Sequence, residues 1–110
     1  MVTISSPFGG QARTRVLLAL RLLGDSYPRE LARLLEMPVN GVQQAVRGLE
    51  RDGLVAGRLV GRTRLLQINP RYFAREELLR YLWRLAEADG ELQGRTAALR
   101  RRPRRAGKPR

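Results

Sequence analysis

The stretch YPRELARLLEMPVNGVQQAVRGLERDGLVAGRLVGRTRLLQINP, Tyr27 to Pro70, changes its apolar period partway along, and that change decides the fold. Leu31, Leu34 and Leu35 share one side of a helix starting at Pro28, whose fixed φ and missing N–H suit a first helical turn. A second helix is predicted from Pro38 or Val39 to Asp52, with Val42, Ala45, Val46 and Leu49 facing in and Gly53 as its left-handed cap. Helical spacing then stops. LVAGRLV and RTRLLQI read as two extended runs around Gly61-Arg62, a hairpin with glycine at its turn, closed by Asn69-Pro70.

The outward side of the second helix carries Asn40, Gln43, Gln44 and Arg47. An ordinary solvated face mixes Glu with Lys or Arg, whereas amides and guanidinium groups form the two-pronged hydrogen bonds that read base edges. The bland reading is a merely polar surface, and the basic hairpin that follows weighs against it. Arg58, Arg62 and Arg64 have no acidic sequence neighbour, which points to DNA phosphates or a minor groove. Gly41 and Gly48 each cost the helix up to about 1 kcal/mol relative to Ala. Drift and a close approach of backbone to a sugar-phosphate rail account for them equally well. Leu59 and Val60 are unexpectedly apolar for a hairpin tip and suit a protein contact.

Two short helices joined by a tight turn, then a two-stranded hairpin, make a winged helix-turn-helix. The quoted stretch resembles the winged-helix core of the ArsR and MarR-type bacterial regulators, and PFGGQARTRVLLALRLL resembles the lead-in and first helix of ArsR-like members. The similarity spans roughly residues 7 to 88. It implies that Asn40, Gln43, Gln44 and Arg47 lie on the recognition helix and Arg58, Arg62 and Arg64 on the wing. Pro38 stands where many relatives have a serine cap. The Cys or His ligands of metal-sensing members are absent, so metal sensing does not carry over.

Two further helices are predicted. Gln11 to Leu23 has one stripe of Val16, Leu20 and Leu23 and another of Leu18 and Leu22, which calls for cover on two sides, by its own domain and by a C-terminal or partner helix. From about Tyr72 to Ala88, Leu78, Tyr81, Leu82 and Leu85 form one face, with Leu79, Trp83 and Ala86 beside it. The surplus on both helices implies a homodimer with Leu18, Leu22, Leu79 and Trp83 at its interface. A ligand pocket around Tyr81 and Trp83 is the lesser alternative. The expected fold is therefore mainly α with a small β-hairpin: residues 1–10 as a lead-in, 11–90 as a winged helix-turn-helix with a C-terminal dimerisation helix, and 91–110 as a basic, disordered tail.

The 110 residues suit one modest domain. With no Cys and no His, disulfides, thiol chemistry and the commonest metal ligands and general base are excluded, and no carboxylate pair is evident, so neither an enzyme nor a bound metal or cofactor is expected. No run is long enough for a membrane helix and no signal core opens the chain, which implies a cytoplasmic protein. The net charge of +12 calls for a polyanionic partner. Eight of the 22 basic residues lie between Arg95 and Arg110, which contains no acid; the remaining 14 against 10 acidic residues leave about +4 for residues 1–94. Double-stranded DNA is the expected partner and transcriptional regulation the expected role. A winged-helix protein–protein module and a basic RNA-associated protein are the alternatives. RNA is disfavoured because no Phe, Tyr or Trp interrupts the basic residues of the hairpin or recognition helix.

Overall fold

The computed structural model of the chain describes residues 7–101. In chain order these form α1 (Gln11–Leu23), β1 (Asp25–Ser26), α2 (Pro28–Leu35), α3 (Val39–Arg51), β2 (Val55–Val60), β3 (Thr63–Ile68), α4 (Arg75–Glu87) and α5 (Gly90–Arg101). The strands make one antiparallel sheet in the order β1-β3-β2. Helix-turn-helix followed by hairpin is a winged helix, with two helices appended. Among the described residues no helix is long and apolar enough to cross a membrane.

At eight residues, α2 is too short to persist alone in water. It is held by burying Leu31, Ala32, Leu34 and Leu35. Its end is a turn on Glu36, the one described non-glycine residue with positive φ, at 56°. The Met37 N–H donates to the Ala32 carbonyl at 2.9 Å, and Pro38 starts α3. The α3 helix ends in a Schellman motif: the Gly53 N–H reaches the Glu50 carbonyl and the Leu54 N–H the Leu49 carbonyl, with Gly53 at φ 82°. Val42, Ala45, Val46 and Leu49 face in as their spacing predicts.

β1 arises where sequence pattern shows only a break. Gly24, at φ 92°, stops α1, and Pro28 forces Tyr27 into extended backbone (φ −105°, ψ 156°). The two residues between them are thus held extended, and they pair Asp25 with Gln67 and Ser26 with Leu66. The fully buried Ser26 donates its Oγ hydrogen bond to Glu30 Oε1 at 2.5 Å, tying the strand to the first turn of α2.

The most buried helix is α1, which contacts α2, α3, α4, α5 and the sheet. This corrects one expectation. Leu18 and Leu22 are only 6 and 7% exposed within a single chain, so neither is left over for a partner subunit. Their second cover is the chain's own C-terminal pair of helices. On α4, Leu79 is partly buried against the core, and Arg21 of α1 donates from Nε to the Leu79 carbonyl at 3.0 Å while its guanidinium lies 5.0 Å from the centre of the Trp83 ring. Trp83 remains 44% exposed.

A second correction concerns residues 91–101, expected as disordered tail. They belong to α5. Asp89 caps this helix, its Oδ1 accepting from the Leu92 N–H at 3.0 Å. Leu92 and Thr96 are buried, and Leu99, one turn further on the same side, is partly so. Arg95 donates to the Leu34 carbonyl at 3.0 Å and pairs with Glu36 at 3.2 Å and Glu91 at 2.6 Å, while Arg100 donates to the Leu22 carbonyl. These bonds are possible because α1 and α2 present helix-end carbonyls that lack intrahelical partners. Residues 102–110 lie outside the described residues, as does most of the expected lead-in.

Candidate nucleic-acid interface

Because α3 buries Val42, Val46 and Leu49, its 3.6-residue period turns Asn40, Gln43, Gln44 and Arg47 outward. All four are exposed, and none of their side chains has a hydrogen-bond or ion-pair partner among the described residues. An amide or guanidinium held on a rigid helix with its hydrogen-bonding capacity unspent is free to engage a planar polar edge.

Beside this face an open cleft of about 930 Å³ separates α3 from the hairpin and the start of α2. Its floor is apolar, from Val46 and Leu66, and its rims carry Arg29, Arg47, Arg62 and Arg64 with no carboxylate in the lining. Three of these guanidinium groups, those of Arg29, Arg47 and Arg62, have no acidic partner among the described residues. A cleft with cations on both rims holds a strong positive potential over its mouth.

The hairpin pairs in register, Val55 with Ile68 through Leu59 with Arg64 and Val60 with Thr63, and Gly61 makes the turn at φ 65°. Directly opposed residues share a face, so Arg64 lies on the core side, beyond Leu66 and opposite Leu59. There it meets α3. Arg64 donates to both carboxylate oxygens of Glu50, one at 3.2 Å, and these hydrogen bonds hold its guanidinium above the ordinary arginine range. The expectation that Arg64 lacks an acidic neighbour is therefore corrected: Glu50, 14 residues earlier, comes next to it only when α3 packs on the hairpin. Arg64 anchors the wing, and Arg58 and Arg62 project from it without acidic partners. Gly57 is the seat of this anchor, since a Cβ there would collide with the Arg64 guanidinium.

Gly48 also has a structural cause that neither sequence reading included. It is buried against α1, and Arg13 crosses directly over it to reach Asp52 at 3.1 Å. Gly41 has only an ordinary contact with Met37. Leu59, 70% exposed, and Val60, 40% exposed, stand at the wing tip without a covering element.

Sequence reasoning missed Arg29 and Tyr27 at the α2 rim. A signal was present. Arg29 sits in the first turn of a helix, where the macrodipole disfavours a cation, and a residue placed against its own helix dipole asks for an external anion. Among the described residues no group of three or more carboxylates could hold a metal ion.

No protein-family model matches the chain, and no curated protein is significantly similar to it in sequence. Among solved structures, the fold is similar to that of a point mutant of Lactococcus lactis ZitR, with a TM-score of 0.62 and 14% sequence identity. The similarity covers 90% of this chain and 66% of that one.

Proposed function

We propose that the protein is a sequence-specific double-stranded DNA-binding regulator of transcription, acting in the cytoplasm without catalysis, by occlusion or recruitment at a promoter. One observation carries this reading: four outward side chains of α3 with unspent hydrogen bonds border a cleft whose rims are cationic and whose lining holds no carboxylate. In such a complex the α3 face lies in the major groove, with Gln43, Gln44 and Arg47 toward base edges and Asn40 at the helix start. Arg58 and Arg62 hold phosphates from the wing and Arg29 holds them from α2. The ZitR likeness supports the winged-helix scaffold on which this rests.

The regulator acts as a homodimer in this reading, which places two recognition helices about 34 to 36 Å apart, one duplex turn. With Leu18 and Leu22 buried inside the subunit, the surface left for a second copy is the outer side of α4, around Leu79, Tyr81 and Trp83. Selection of bound duplexes from a random pool at a stated salt concentration tests class and stoichiometry together: an enriched two-fold symmetric site is expected, and no enrichment overturns the proposal. Light scattering without DNA tests assembly, with a monomeric mass at tens of micromolar as the contrary result.

The exposed Leu59 and Val60 favour a second reading, in which the wing docks on another protein. It requires the Leu59→Ser variant to lose a protein partner while keeping any DNA affinity unchanged.

A further inference from the structure

The basic run at the end of the sequence does not leave the molecule at an arbitrary place. Within α5, Arg95 reaches the Leu34 carbonyl and Glu36 at the end of α2, whereas Ala98 and Leu99 share a groove with Glu30 and Arg33, nearer its start. The two helices therefore run antiparallel. Arg100 completes the direction by donating to the Leu22 carbonyl, at the end of α1 and just before β1. The end of α5 is thus brought to the α2 start, where Tyr27, Pro28 and Arg29 form one rim of the arginine cleft. About one helix diameter, roughly 10 Å, separates the two sites.

We propose that α5 is a strut that delivers residues 102–110 to the duplex flank on the α2 side of the cleft, so that the cationic track on DNA continues past the rim opposite the wing. This rests on the DNA-binding reading above. The segment RPRRAGKPR has five cations, no acid and no aromatic or large aliphatic side chain, so it has charge to offer but nothing that fits a specific pocket. Its own body does not attract it. Five of the 22 basic residues lie in this segment, leaving 17 against 10 acidic residues, or about +7, for residues 1–101. A phosphate track is what such a segment neutralises, releasing counterions as it does so. Nine residues reach at most about 30 Å, enough to follow one strand for several nucleotides beyond the cleft. The first three, Arg102, Pro103 and Arg104, begin that path next to the Arg29 rim.

The test uses the full chain and a full-length variant in which Arg102, Arg104, Arg105, Lys108 and Arg110 are all changed to Gln. Both are measured on the duplex that the natural sequence selects, by hydroxyl-radical footprinting and by affinity across salt concentrations. The variant is expected to keep the melting temperature and the preferred site, bind about 10- to 100-fold more weakly near physiological salt, and show a salt slope shallower by about two to four units, since each phosphate contact contributes about 0.9. It also loses protection on the α2-side flank of each half-site alone. An unchanged slope and footprint overturn the proposal. Protection lost equally on both flanks also overturns it, because the tail is then not placed by α5. If the natural sequence protects no discrete site at all, the cleft reading itself falls, and the tail proposal with it.

Discussion

The wing and α5 are both arginine-rich, and on paper both read as cations directed at solvent. They differ in what the cations do. In α5, Arg95 is taken up by a carbonyl and two carboxylates and Arg100 by a carbonyl, all within the molecule. On the wing, Arg58 and Arg62 have no acidic partner, and only Arg64 is turned inward, by Glu50. An arginine therefore carries an interface only when the fold leaves it unsatisfied. The guanidinium is always charged and always a donor, so the difference lies entirely in whether helix ends and carboxylates are brought within reach.

The largest expected effect tests whether α5 is structural at all. Leu92→Ala should destabilise the protein by roughly 2 to 4 kcal/mol, because a fully packed leucine is lost from beneath the helix. Denaturant titration reads this directly, and an unchanged midpoint would erase the contrast between α5 and the wing.

Next comes the α3 face. Arg47→Ala should leave the denaturation midpoint in place and cost roughly 1 to 3 kcal/mol on the selected duplex, with preference relaxed at one base pair. Equal losses on selected and random DNA would reduce Arg47 to a backbone contact.

A reciprocal pair of substitutions sharpens the comparison. Arg95→Ala should lower stability by about 1 to 2 kcal/mol, through the lost carbonyl bond and partly exposed ion pairs, with an unchanged salt slope for DNA. Arg62→Ala should do the reverse: stability within about 0.5 kcal/mol of the natural protein and a slope shallower by about one unit. Any variant that moves both readouts together breaks the distinction.

The smallest effect belongs to Gly48→Ala. Helix propensity gains up to about 1 kcal/mol, but the new methyl displaces the Arg13 guanidinium from its path to Asp52, a half-exposed pair worth at most about 1 kcal/mol. A net change under about 0.5 kcal/mol is expected from thermal melts. A larger loss would show that Arg13 is a structural strap of the same kind as Arg95.

Much of the architecture was legible locally. The bounds of α1 and the start of α2 follow from Gln11, Leu23, Gly24 and Pro28, and those of α3 and the hairpin from Gly53 and Gly61, because caps and turns depend on residues close in sequence. The outward position of Asn40, Gln43, Gln44 and Arg47 follows from the same periodicity that buries Val42 and Val46. α5 was missed although its signal was present: Asp89 as a cap, then Leu92, Thr96 and Leu99 at helical spacing. The glycines Gly90 and Gly94 and the arginines around them obscured it.

Sequence by itself determined the helix-turn-helix and hairpin, the amide-rich outward face and the positive charge, since periodicity, turn chemistry and composition act over a few residues or over none. Only the tertiary structure decided which charges and which apolar groups remain available. Glu50 meets Arg64, Leu34 meets Arg95 and Leu22 meets Arg100 across 14, 61 and 78 positions of chain. The cover over Leu18 and Leu22 likewise exists only once α4 and α5 fold back on α1. Long-range packing sets these partners, and no local pattern encodes them.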